Sequence, residues 1–83
     1  MEKIKVYGAD WCEDTRRTLG QLDSLGVPFE YIDIEQDEAS ARWVREQNGG
    51  KERKPTLKVG EEILSTPDDE RLEGALRAHG LLR

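Results

Sequence analysis

One sulfur concentrates the reactive possibilities of this chain: Cys12, the single cysteine among 83 residues, within Tyr7-Gly8-Ala9-Asp10-Trp11-Cys12-Glu13-Asp14-Thr15. The stretch reads as a strand end, a turn and the first residues of a helix. At a helix mouth, backbone N–H groups and the positive end of the dipole stabilise an anion, so a thiol there ionises more readily than a free one. A thiolate attacks disulfides, and disulfide exchange is the chemistry that this position suggests. A Cys-x-x-Cys beside a βαβ pattern would mark a dithiol site. Here Thr15 takes the second position, so redox chemistry must run on one thiol. The plainer reading of Cys12 is a small apolar residue in a core.

The surrounding charges pull in different directions. Glu13 and Asp14 are ordinary partners of a helix N-terminus, yet they stand beside a sulfur that should become an anion and oppose its ionisation. Arg16 and Arg17 follow and could reach those carboxylates. Thr15 either favours the first helical turn or holds the Cys12 thiolate through its hydroxyl. Trp11 is expected to be partly exposed beside the sulfur, and Trp43 to lie in the core. His79 has no carboxylate or cysteine constellation and is assigned no chemistry. One cysteine and one distant histidine fall short of a metal-ligand set, so no metal is expected.

The elements that position Cys12 follow from hydrophobic periodicity. Residues 3–8 alternate, with Ile4 and Val6 on one face, and form the first strand. From Glu13 to about Leu25 the spacing turns helical, with Thr15, Leu19 and Leu22 in one stripe, Thr18 and Leu25 beside it, and Gly26 as the stop. Val27-Pro28 breaks the helix, and residues 29–34 give a second strand. Strand, helix and strand with short turns should cross over right-handedly and pair in parallel. A second helix is expected over 38–47, capped by Asp37, with Ala39, Trp43, Val44 and Gln47 inward and Asn48-Gly49-Gly50 at its end. After the charged loop 51–54, Pro55 opens a third strand, Thr56–Val59. Gly60-Glu61 turns it into a fourth, Glu62–Leu64, as a hairpin. Thr66 as N-cap, Pro67 at the first helical position and the acids Asp68 and Asp69 predict a last helix with Leu72, Ala75, Leu76 and His79 on its apolar face.

Size and charge narrow the function classes. A chain of 83 residues is one small domain, burying roughly 60% of what its unfolded form exposes. Charged residues make up 37% and hydrophobic ones 35%, but the periodicities indicate a globular chain. A formal charge of −5 argues against nucleic acid or an anionic membrane as partner. There is no apolar run of signal-peptide or membrane-span length, and the lone cysteine fits a reducing compartment, so the cytoplasm is the expected location. A monomer is expected.

The order βαβ then αββα, with Trp11-Cys12 after the first strand and Pro55-Thr56 opening the third, resembles the glutaredoxin branch of the thioredoxin superfamily. Asp33-Ile34-Glu35, Asn48-Gly49-Gly50 and Pro55-Thr56 are most similar to small bacterial glutaredoxin-like proteins, including mycoredoxins. The resemblance covers nearly the whole chain. It implies an α/β thioredoxin fold: a four-stranded mixed sheet of order 2-1-3-4, the first and third helices on one face and the second on the other. It also implies a cis bond before Pro55, which lies against the cysteine, and places Lys54 beside the sulfur, where its charge could offset Glu13 and Asp14. The implied activity is a monothiol thiol–disulfide oxidoreductase, with Cys12 catalytic and Trp11, Thr15, Lys54, Pro55, Thr66 and Asp68 binding the small thiol. Glutathione or mycothiol would be the co-substrate, with no tightly bound cofactor and with thiol-containing proteins as partners. Two departures stand out: Thr15 replaces the second cysteine, and Ser65-Thr66 stands where glutathione-using members carry Gly-Gly. The alternatives are an iron–sulfur carrier, whose usual Cys-Gly-Phe-Ser is not matched by Cys12-Glu13-Asp14-Thr15, and a thioredoxin-fold binding module without catalysis.

Overall fold

The computed structural model describes residues 4–82; Lys3, assigned to the first strand from sequence, lies outside the described residues. The elements run β1 (Ile4–Gly8), α1 (Glu13–Leu25), β2 (Glu30–Asp33), α2 (Glu38–Gln47), β3 (Thr56–Val59), β4 (Glu62–Ser65) and α3 (Asp69–Ala78). The sheet order is β2-β1-β3-β4. Strand β2 lies parallel to β1, and β3 is antiparallel to both β1 and β4. This is the mixed four-stranded sheet with three helices that the periodicities and the resemblance imply.

The alternation of β1 sends neighbouring residues to opposite faces, and each face has its own core. Ile4 and Val6 join Leu57, Val59 and Leu64 of the hairpin, Leu22 of α1, and Leu72, Ala75 and Leu76 of α3 in the larger one. Tyr7 turns the other way, into a smaller cluster with Ile34 and with Ala41 and Val44 of α2. Trp43 packs against that cluster, its ring centroid 4.6 Å from that of Tyr7. Helix α1 ends as its sequence requires: Gly26 adopts φ 70°, a left-handed conformation that costs glycine little, while its N–H and that of Val27 bond back into the last turn.

Three sequence expectations are corrected. Helix α3 begins at Asp69 with Asp68 as its N-cap, two residues later than Thr66 and Pro67 suggest. Thr66 instead takes φ 43° and donates its N–H to the Pro55 carbonyl at 2.8 Å, so it ends the hairpin and cannot start the helix. The inward face of α2 carries Ala41 and Val44, which pack with Tyr7 and Ile34, while Ala39 and Gln47 are exposed. His79 is the C-cap of α3 and faces Glu62 of β4 at 3.0 Å, a polar contact in place of the expected apolar one.

Candidate active site

The segment joining β1 to α1 is a tight turn closed by the Cys12 N–H on the Ala9 carbonyl at 3.1 Å. Cys12 is the N-cap of α1, with extended φ and ψ of −79° and 121°, and its carbonyl accepts the first helical bond, from Arg16, at 3.0 Å. Its side chain makes no capping bond. The sulfur is only partly buried, and its contact across the chain is the Lys54 carbonyl, 3.7 Å away. The Lys54–Pro55 bond is cis, and Pro55 is fully buried.

Thr15 lies behind this turn. It has no exposed surface, and its hydroxyl accepts a long bond, 3.5 Å, from the Ala9 N–H. Gly8 explains how a threonine fits there: a Cβ on Gly8 would stand 2.5 Å from Thr15 Cγ2 and 2.6 Å from Oγ1. The hydroxyl therefore holds the turn from inside.

Lys54 meets the sulfur through its backbone. Its ammonium sits 5.2 Å over the ring of Trp11, which is 62% exposed, and 3.6 Å from Glu52 Oε1. Glu52 also reaches Arg45 Nη1 at 2.6 Å, and Arg45 holds Glu38 at 2.7 Å. Arg17 turns to Asp69 of α3 at 3.9 Å. Asp68 caps α3, accepting the Arg71 N–H at 2.8 Å. The structure thus brings Trp11, Cys12, Thr15, Lys54, Pro55 and Thr66 to one end of the sheet, with Asp68 two residues beyond.

Further residues shape this end of the sheet to which the sequence assigns no role at the site. Tyr31 of β2 donates to Asp10 at 2.7 Å, tying the active turn to the sheet's outer strand. Asn48 donates to the Val44 carbonyl and to Thr56 Oγ1, accepts from Ser65, and so ties the end of α2 to the hairpin beside Pro55. Thr56 in turn donates to the Arg53 carbonyl at 2.8 Å, fixing the chain just before Lys54. The available signal was an Asn at a helix end next to glycines, which reads first as a stop.

The tyrosines supply a pH test. Burial, then the bond to Asp10 and the charges of Asp10, Asp33 and Cys12, push Tyr31 well above the ordinary tyrosine range. Burial, with Glu30 and Asp37, raises Tyr7 as well. These are the only tyrosines in the chain. At pH 10 the native protein should show less phenolate absorbance than the denatured chain, in which about half of the tyrosine is ionised. Because the folded state holds these protons more tightly, stability should be full below about pH 10 and fall as pH rises beyond it. Native protein as ionised at pH 10 as the denatured chain would refute the buried, bonded state of Tyr31.

Comparison with known proteins agrees with this geometry. The pattern of the glutaredoxin family matches residues 4–64. Mycoredoxin 1 of Corynebacterium glutamicum is 34% identical over 66 residues, covering 80% of this chain and 81% of that protein. The crystal structure of a glutaredoxin from Archaeoglobus fulgidus superposes with a TM-score of 0.81 at 27% identity, covering 93% of this chain and 88% of the other. A buckwheat glutaredoxin in complex with glutathione shares the fold at a TM-score of 0.76 and 18% identity, over 98% of this chain and 82% of the other. With the family pattern over residues 4–64 and a mycoredoxin at 34% identity, the chain belongs to the glutaredoxin family and is a redox protein of mycoredoxin-like type.

Proposed function

We propose that this protein is a monothiol thiol–disulfide oxidoreductase that moves a small thiol off protein mixed disulfides through Cys12. The carrying observation is a part-exposed Cys12 sulfur at a helix N-terminus, with a buried threonine where a resolving thiol would stand. In the first step the Cys12 thiolate attacks the small-thiol sulfur of a protein mixed disulfide. A Cys12–small-thiol disulfide forms, and the client's thiolate leaves and takes a proton from solvent. A second small thiol, as thiolate, then attacks the small-thiol sulfur on Cys12. The symmetrical small disulfide departs, and the Cys12 thiolate is restored. The two electrons come from the second small thiol and the one released from the client, so no resolving cysteine is needed.

Trp11, Lys54, Pro55, Thr66 and Asp68 border the incoming thiol, and Thr15 supports the turn from behind. The co-substrate is glutathione or mycothiol. The buckwheat relative's complex with glutathione supports a small thiol on this fold, and the resemblance to mycoredoxins supports mycothiol. The protein acts as a cytoplasmic monomer on thiol-containing proteins; no described helix is long and apolar enough to cross a membrane.

Reduced protein mixed with glutathione disulfide, and separately with mycothiol disulfide, should gain one small-thiol mass on the peptide that holds Cys12. Excess reduced thiol should then remove it. A Cys12 that accepts iodoacetamide yet forms neither adduct would overturn the proposal.

A further inference from the structure

Resting on the exchange chemistry above, we infer that Glu52 is a specificity-determining residue that sets the site against small disulfides carrying negative charge. A cation that the fold brings beside the active turn is the ammonium of Lys54, held over Trp11 one residue from Cys12. Lys54 also shares a backbone contact with the sulfur. An anionic group on an incoming thiol would be drawn to that ammonium.

Glu52 already answers it. Its Oε1 lies 3.6 Å from Lys54 Nζ, while Oε2 is anchored by Arg45 at 2.6 Å. Arg45 is itself braced by Glu38 at 2.7 Å, so the carboxylate is held in place from behind. The Lys54 side chain is 17% exposed, which leaves little of it for a second anion. An anionic ligand must therefore displace an internal carboxylate that is tethered and costs no translational entropy to hold. An uncharged or cationic small disulfide meets no such competitor. The first-turn carboxylates Glu13 and Asp14, both exposed, act in the same direction. The substrate class that fits is a small-thiol disulfide without net negative charge next to its sulfur.

Two pairs of probes read this selectivity. Iodoacetate and iodoacetamide alkylate the same sulfur by the same displacement and differ by one charge. Bis(2-carboxyethyl) disulfide and bis(2-hydroxyethyl) disulfide serve for exchange, each half differing by one carboxylate. In Glu52→Gln the ratio of anionic to neutral rate should rise about threefold or more in both pairs, as suits one partly screened charge. The rise should shrink in high salt. Glu46→Gln, on the exposed surface of α2, makes the same net charge change and should leave both ratios alone.

An unchanged ratio in Glu52→Gln, an equal rise in Glu46→Gln, or an equal acceleration of neutral and anionic probes would each overturn the inference. If neither disulfide reacts, the exchange function fails by itself. The alkylation pair then still decides whether Glu52 selects by charge.

Discussion

Serine in place of Cys12 is expected to reduce exchange to the uncatalysed background while making the protein slightly more stable. The loss follows from the nucleophile: a hydroxyl ionises far less readily than a thiol and forms no disulfide, so neither step of the cycle can begin. The gain follows from the helix. Cys12 occupies the N-cap of α1, and its side chain makes no capping bond. Serine is among the preferred residues there because its oxygen accepts an N–H of the first turn, and a cap of this kind contributes about 0.5–2 kcal/mol. In a domain of this size, an increase of about 1 kcal/mol raises the thermal midpoint by about 4–8 °C. Adduct mass spectrometry and thermal unfolding of the same sample check both halves. Residual exchange at wild-type rate would remove Cys12 from the mechanism, and a lowered midpoint would show that its sulfur contributes packing which serine cannot replace.

The second large effect is structural and reaches the site from behind. Alanine at Gly8 places a methyl group 2.5 Å from Thr15 Cγ2, where both residues are buried. Threonine is branched at Cβ and stiff about χ1, so it cannot swing aside as a long side chain would. Overpacking of this kind costs about 1–3 kcal/mol, and the upper part of that range applies because two atoms of Thr15 are struck. The thermal midpoint should fall by about 10–20 °C. Exchange should slow as well, since a displaced Thr15 gives up its bond to Ala9 and loosens the turn that ends in Cys12. Gly8→Ala combined with Thr15→Ala removes both struck atoms and should recover part of the stability. If Gly8→Ala unfolds at the wild-type midpoint, the turn accommodates the methyl group and the tight backing of Cys12 is not a constraint.

Most of the scaffold was legible because its signals are local. The period change between Ile4-Lys5-Val6 and the Thr15-Leu19-Leu22 stripe, and the glycine stop at Gly26, fix β1 and α1 without tertiary information. The start of α3 was not. Thr66-Pro67 has the composition of a helix cap, but Thr66 is drawn into a backbone bond with Pro55, a partner eleven positions earlier, and the cap passes to Asp68. The face of α2 was misplaced because its apolar residues are sparse, and Ala39 satisfies the same spacing that Ala41 fulfils. At the site, Cys12, Trp11 and Pro55 stand out by type alone. Glu52 and Tyr31 do not, since a carboxylate in a charged loop and an aromatic in a strand are ordinary. Their meaning comes from Lys54 and Asp10, which only the fold brings to them. The resemblance implies Lys54 beside the sulfur, where its charge could offset Glu13 and Asp14. It is there with its carbonyl, and its charge goes to Trp11 and Glu52.

The unequal division of the core between the two faces of the sheet has a consequence for how the molecule breathes. Among the described residues, ten buried ones knit α1 and α3 to one face, whereas four hold α2 to the other. Local opening costs least where the fewest apolar contacts must be broken, so amide protons of α2 should exchange with deuterium well before those of α1, α3 or the central strands. Asn48 closes α2 and grips both Thr56 and Ser65 across from it. Opening of α2 should therefore also release the Asn48 bonds to Thr56 and Ser65, the residues that flank Pro55 and Thr66, so the least protected layer of the protein is joined to the hairpin end whose Lys54 carbonyl meets the Cys12 sulfur.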